Sequence, residues 1–450
     1  MKTKDNSFRA FKWFHATSGS GGAMLIAAIQ ATFFSVFMTD TMNLPTKVCS
    51  GIMFIATLWD AVNDPIMGVV ADRTHTKWGR YRPYFIPAPL LLMIFSTLLW
   101  LNPSFSVRGK VIWVLVMYIG YGMTVTMYTM PQTAILPACI KDNDKRNEVI
   151  SLGAGISAVA FTVGTSFTQN VKGFFENTMH FKNGYIPIML CCSVMAIISF
   201  WGLFATSKEK YVVHTEKVSI KDSLGKVLKH KEIYSIILVW IVAAISYGLN
   251  FSSTIYYLTY YLGRPDLISK YMLITSIGGL LSMFVIMPWL LKVLHSGHKA
   301  LIVSQTISII CYAILYFTGK YNLTFFFILS VFAGMFSTMQ NALVNVLVND
   351  AIDYLQWKDG ISANGVISSI KGFAQKCGNT ITSSGLLLVL GTAGYVAGDI
   401  TGQPESAKFA INFMRFGAPV ILGLIIIIAL RFNPAEKHKK EIEDMKSKEV

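Results

Sequence analysis

Two carboxylates and an amide lie close together in an otherwise apolar stretch, Leu58-Trp59-Asp60-Ala61-Val62-Asn63-Asp64-Pro65-Ile66-Met67-Gly68. On a helix Asp60 and Asp64 share one face, with Cβ atoms roughly 5–6 Å apart, and Asn63 borders that face. Two carboxylates so close repel, and each costs roughly 2.5–3.5 kcal/mol inside a membrane. The cost falls if the pair shares a proton or holds a hard cation, which carboxylate and amide oxygens suit. A pair hydrated at a helix end is the plainer alternative. A second apolar stretch, Ile370-Lys371-Gly372-Phe373-Ala374-Gln375-Lys376-Cys377-Gly378-Asn379, carries the opposite charge. Lys376 is too deep in it to snorkel easily and calls for a carboxylate partner, whereas Lys371 is nearer an end.

Catalytic chemistry is absent from the pattern. All eight histidines (His15, His75, His180, His214, His230, His295, His298 and His438) are assigned to loops or tails. The six cysteines show neither metal-ligand spacing nor a disulfide framework. No nucleophile–base pair is visible, so no catalytic residue and no cofactor are expected beyond a coupling ion, Na⁺ or H⁺.

The elements that carry these residues are membrane spans. Of the 450 residues, 53% are hydrophobic and 14% charged, and the mean hydropathy is +0.51. A soluble domain carries about 25% charge. Apolar runs of about 20 residues are expected at 20–38, 47–70, 84–101, 111–135, 149–171 and 185–206, then at 233–262, 268–290, 300–318, 322–348, 362–392 and 409–430. The expectation is an all-α polytopic membrane protein of twelve helices in two pseudo-symmetric six-helix bundles: 1–206, a cytoplasmic linker 207–232, 233–431, and a solvated tail 432–450. The tail's mixed charges suit a short exposed helix, and no cleaved signal peptide is expected. With the N-terminus inside, about 27 Lys/Arg fall in cytoplasmic segments, about 10 outside and two within a span. That is the positive-inside pattern, and it accounts for the net charge of +15 without nucleic acid. Both termini are then cytoplasmic. Acidic-then-basic turns recur at 137–146 and 349–358, at matching places in the halves. Six plus six around a polar linker is the organisation of carriers that rock two bundles about a central site.

The loop Gly68-Val-Val-Ala-Asp72-Arg73-Thr-His-Thr-Lys77-Trp78-Gly79-Arg80-Tyr81-Arg82-Pro83 follows the second span. Its G-x-x-x-D-R-x(5)-G-R spacing resembles the signature loop of the major facilitator superfamily. W-D-A-V-N-D-P-I-M-G with W-G-R-Y-R-P, D-A-I-D-Y-L-Q-W-K-D-G after the tenth span, and Lys376-Cys-Gly resemble the glycoside–pentoside–hexuronide:cation symporters. The resemblance runs through all twelve spans and is strongest at 58–83 and 350–378. It implies the major facilitator fold, with a coupling-cation site at Asp60 and Asp64, where Na⁺ would bind. Asn63 matches a position that influences cation choice, Thr126 a cation-proximal threonine, and Lys376 a lysine beside that site. Gly68, Asp72, Arg73, Gly79 and Arg80 form the gating loop. Departures from the family pattern are equally specific. The first span has no acid, Thr129 stands at a fourth-span acid, and Ala154 at a fifth-span arginine, so the family's acid–arginine grip on sugar hydroxyls is missing.

Polar groups left to read a solute are Gln30, Tyr128, Thr129, Gln132, Gln340, Asn341 and Asn345. Amides hydrogen-bond hydroxyls well, and they also join membrane helices to one another. The expected function is cation-coupled symport of a sugar, glycoside or related small polar solute by alternating access. The setting is a bacterial inner membrane, where the protein is a monomer whose partners are the solute and the bilayer. A carrier of an anionic solute such as a hexuronide is the alternative. A membrane enzyme or lipid-modifying protein is the alternative of another class.

Overall fold

The computed structural model describes residues 2–211, 229–230, 233–359, 364–439 and 441–442. Among these the regular structure is helical, apart from one isolated bridge between Thr76 and Gly79. By internal contacts the chain divides into Met1–Thr215 with Asp266–Leu273, and Glu216–Pro265 with Ile274–Val450. The first unit holds α1 (Lys2–Ser20), α2 (Gly22–Val36), α3 (Thr46–Arg73), α4 (Pro87–Leu99), α5 (Val107–Cys139), α6 (Asn143–Asn177) and α7 (Tyr185–Thr206). After the polar segment come α8 (Tyr234–Tyr256), α9 (Ile268–Leu281) with α10 (Met287–Leu294), α11 (Gly297–Thr318), α12 (Leu323–Asp359) and α13 (Asn364–Thr392). The last elements are α14 (Glu405–Asn412) with α15 (Ala418–Leu430), and the short α16 (Pro434–Lys437).

Among the described residues ten helical stretches are long and apolar enough to cross a membrane. The long helices α3 and α13, of 28 and 29 residues, are not among them. At about 1.5 Å per residue each still exceeds a hydrocarbon core of about 30 Å. Asp60, Asn63 and Asp64 interrupt the apolar run of α3, and Lys371, Gln375, Lys376 and Asn379 that of α13. The two helices that fall short on apolarity are therefore the two that carry the candidate chemistry.

Each unit repeats one packing scheme. In the first, α1 and α2 pack on α6 and α7, α4 packs on α5 and α7, and α3 packs on α5. In the second, α8 packs on α13 and α15, α11 packs on α12 and α15, and the wide helical turn Ser282–Ile286 packs on α12. First with fifth and sixth, third with fourth and sixth, and second with fourth are thus the pairings in both. The first span of each also ends alike. α2 runs into a π-turn at Phe37–Thr41, and α8 into one at Tyr257–Tyr261. Met42 N–H donates to Phe37 O at 3.0 Å and Leu44 N–H to Met38 O at 3.1 Å. Their counterparts are Leu262 N–H to Tyr257 O at 3.0 Å and Arg264 N–H to Leu258 O at 2.8 Å. The next residue is left-handed in both, Asn43 at φ 54° and Gly263 at φ 67°. Those are the residue types that enter this region at least cost.

Three sequence expectations change. The first span does not begin at residue 20. Helix starts at Lys2, and Asn6–Thr41 forms one candidate span broken only at Gly21. His15 therefore lies inside a span rather than in a tail. The amphipathic segment ahead of the apolar run has helix-compatible residues throughout, and periodicity alone gave it no reason to start there. Residues 207–211, expected as linker, fold onto the first unit: the amides of Lys210 and Tyr211 donate to Ala138 O at 2.9 and 3.0 Å. The tail is not merely solvated, because Asn433, Pro434 and Ala435 are buried against the second unit.

If Asn43 and Gly263 are equivalent terminators, Asn43→Gly should leave stability unchanged. Gly263→Val should lower it by about 1–2 kcal/mol, the cost of forcing a branched L-residue into the left-handed region. Thermal unfolding of the purified variants measures both.

Candidate functional site

In the first unit α3 and α5 face each other along two stripes of four-residue spacing. Asp60 and Asp64 lie on α3, and Tyr118, Gly122 and Thr126 on α5. Thr126 Oγ1 donates to Asp64 Oδ1 at 2.9 Å, and Thr126 is buried. One turn earlier, a Cβ placed on Gly122 would overlap the Asp60 carboxylate. Glycine thus makes the notch into which Asp60 fits. One turn earlier again, Tyr118 faces Gln30 of α2 and the charge of Asp60. Asn63 is buried, and its amide nitrogen has no hydrogen-bond partner among the described residues. The unit therefore gathers two carboxylates, a hydroxyl and an underused amide. That is a hard-oxygen set suited to a proton or a small cation. No cluster of three or more His, Cys, Asp and Glu is found among the described residues.

The solute candidates separate. Gln30 is buried beside Tyr118. The Tyr128 ring is buried against Phe200, with centroids 5.0 Å apart. Thr129 Oγ1 donates to Val125 O at 2.9 Å within its own helix. Gln132 ties α5 to α1: Nε2 donates to Ser18 Oγ at 2.8 Å and His15 O at 3.1 Å, and His15 Nε2 donates back to Gln132 O at 3.0 Å. In the second unit Asn345 Oδ1 accepts from Lys371 Nζ at 2.7 Å, joining α12 to α13. Gln305 Nε2 donates to Gln340 Oε1 at 2.8 Å. The side chains of Asn341 and Asp72 lie outside the described residues. Lys376 is half-buried on α13.

Arg415, which the sequence analysis did not single out, lies within the last span. It is buried at the π-turn Phe413–Gly417. Its Nη1 donates to Asn250 Oδ1 at 2.8 Å, and Tyr312 Oη donates to the same oxygen at 2.7 Å. Asn250 Nδ2 donates to Ser337 Oγ at 2.7 Å. One amide thus joins four spans of the second unit.

The loop after α3 is locked by a residue that sequence reading missed. Glu209 accepts from the backbone N–H groups of Arg80, Tyr81 and Arg82 at 2.8, 2.9 and 3.1 Å. Successive amides converging on one carboxylate form an anion nest. Gly79 stands at φ 111°, and a Cβ there would overlap Glu209. The Arg82 guanidinium donates to Phe204 O at 2.7 and 3.2 Å, closing the end of α7. Arg73 is exposed at the end of α3, Arg80 lies over the Tyr81 ring at 5.8 Å, and Gly68 has open space where a Cβ would point. Glu209 is about 130 residues from the loop, and no local spacing announces it.

Two tests follow from this geometry. Gly122→Ala should destabilise the protein by about 1–3 kcal/mol through overpacking, and by clearly less in an Asp60→Ala background. Equal costs in both backgrounds would show that Asp60 does not fill the notch. Gly79→Ala and Glu209→Ala should each lower the thermal midpoint, and together by less than their sum, because they empty one seat. A strictly additive double variant contradicts the nest.

Residues 16–437 match the family model described as MFS/sugar transport protein. The chain is 26% identical over 426 residues to the isoprimeverose transporter of Lactiplantibacillus pentosus, covering 94% of this chain and 88% of that one. It is 21% identical over 424 residues to the glucuronide carrier protein homolog of Escherichia coli strain K12, covering 92% and 90%. In fold it is similar to the crystal structure of a bacterial homolog of the human lysosomal transporter Spinster, with TM-score 0.69, 14% identity and coverage of 97% and 98%. A family match over nearly the whole chain, on helices long and apolar enough to span a membrane, has one reading: the chain belongs to the MFS/sugar transport proteins, in the glycoside–pentoside–hexuronide branch of the major facilitator superfamily, and is a multi-pass inner-membrane transporter rather than an enzyme.

Proposed function

We propose that the protein couples the movement of a sugar, glycoside or related small polar solute to Na⁺ or H⁺. The observation that carries this reading is the Asp60–Asp64 pair in a membrane-spanning helix, with Thr126 bonded to Asp64 and Asp60 seated against Gly122. A cation binding there relieves the repulsion of the pair and so favours one conformation over another. A solute that binds the favoured conformation must then be bound more tightly, and the effect is reciprocal. The names of two relatives, an isoprimeverose transporter and a glucuronide carrier homolog, support a glycosidic solute. The lysine and arginine distribution supports cytoplasmic termini.

A second reading, an anionic solute, is favoured by the cations of the second unit. Lys371 donates to a neutral amide oxygen, Asn345 Oδ1, at 2.7 Å. Proteoliposome uptake of labelled neutral glycosides and uronates, with and without Na⁺, decides between the two.

Asp60→Asn and Asp64→Asn should each abolish cation-driven accumulation while the protein still inserts. Wild-type accumulation ratios in both variants contradict the cation site. Lys376 supplies positive charge to the coupling step in this reading. Lys376→Val should therefore reduce net uphill uptake by about tenfold or more, an effect of at least about 1.4 kcal/mol. Solute exchange, which need not release the cation, should survive better. Unchanged uphill uptake and unchanged cation dependence would remove Lys376 from the coupling step.

A further inference from the structure

A cavity of about 630 Å³ opens at one end of the second unit, lined by Ser235, Tyr354, Trp357, Lys358, Phe432, Pro434, Lys437 and His438. It lies where α12 and α15 finish and α8 begins, so it sits at a membrane surface rather than in the core. Among its described lining residues the charged ones are Lys358 and Lys437, with the His438 imidazole beside them and Glu441 Oε1 4.0 Å from His438 Nδ1. The nearby Glu436 is turned away, its Oε2 accepting from Ser296 Oγ at 3.2 Å.

The wall is built rather than incidental. The His438 ring stacks on Trp357 with centroids 4.8 Å apart. Lys358 Nζ donates to Tyr354 Oη at 3.1 Å, and Lys437 lies over the Phe432 ring at 5.8 Å. α16 is fastened beneath by buried Asn433, whose Oδ1 accepts from Ala435 N–H at 3.1 Å and whose amide pairs with His298 Nδ1 at 3.2 Å. A lysine at the end of α12 also offsets the helix dipole. That does not explain why α16 brings Lys437 and His438 back over it.

Phe432 is 61% exposed, and it continues a stripe of exposed apolar residues on α15, Ile421, Leu424 and Ile428. The basic bowl is thus continuous with a face suited to acyl chains. Aromatic rings with lysines at a span end also fit the headgroup level.

We propose that this bowl binds the phosphate of an anionic phospholipid headgroup, with the acyl chains lying along Phe432 and the exposed side of α15. Lys358 and Lys437 supply the charge, His438 is held in place by Trp357, and the site is independent of the transported solute. The test uses the full-length protein in detergent micelles doped with phosphatidylglycerol or phosphatidylcholine, with retained lipid counted by native mass spectrometry. Wild type should retain phosphatidylglycerol preferentially. Lys358→Gln and Lys437→Gln should each reduce retention about fivefold, and together by more, while the Lys358→Arg/Lys437→Arg pair should keep it. If the double Gln variant does not fold, the single variants decide. Equal retention in wild type and the Gln variants overturns the proposal. So does binding of inorganic phosphate or glycerol phosphate with the same lysine dependence but no lipid preference, which would make it a site for a soluble phosphate.

Discussion

Placing two carboxylates four residues apart within a membrane helix is the constraint to which the first unit is built. Each acid costs several kcal/mol in hydrocarbon, and their repulsion adds to it. The neighbouring helix answers residue by residue. Where Asp60 needs room, α5 has Gly122; where Asp64 needs a donor, it has Thr126. The same four-residue period on both helices makes the match possible, since only positions three or four apart share a face.

The second unit uses the same scaffold with the opposite charge. Its spans carry Lys371, Lys376 and Arg415, and the first two lie on α13, whose apolarity is interrupted much as that of α3 is. Arg415 is accommodated by Asn250, an amide that accepts from two donors and donates to Ser337. In hydrocarbon such a hub holds helices together. In the proposed reading the acids hold the coupling cation, and in the alternative one the cations of the second unit favour an anionic solute.

Much of this was legible in the sequence. The Asp60–Asp64 spacing, the contrast of charge between α3 and α13, and the run of spans all follow from periodicity and hydropathy. Three things did not. Glu209 reaches its nest from a distant segment, so nothing local marks it. The tie that Gln132 makes from α5 to Ser18 and His15 of α1 is likewise not marked by spacing. Arg415 falls inside the expected last span, but nothing in its local spacing points to Asn250, the amide that holds it. In each case the missing information is a tertiary partner, which one-dimensional spacing does not contain.

The repeat itself shows why fold and function are read from different residues. Asn43 and Gly263 end equivalent helices through the same pair of wide hydrogen bonds, although the π-turns before them, Phe-Met-Thr-Asp-Thr and Tyr-Leu-Thr-Tyr-Tyr, share only a threonine. What recurs is a backbone geometry that demands a residue tolerant of positive φ, and two different residue types meet it. The charged residues of the spans show no such recurrence: acids occupy the second span of the first half, and lysines the fifth span of the second. A duplicated scaffold therefore constrains the turns and pairings, and leaves the polar positions free to diverge. In the proposed reading, it is in those divergent positions that the chemistry of the carrier resides.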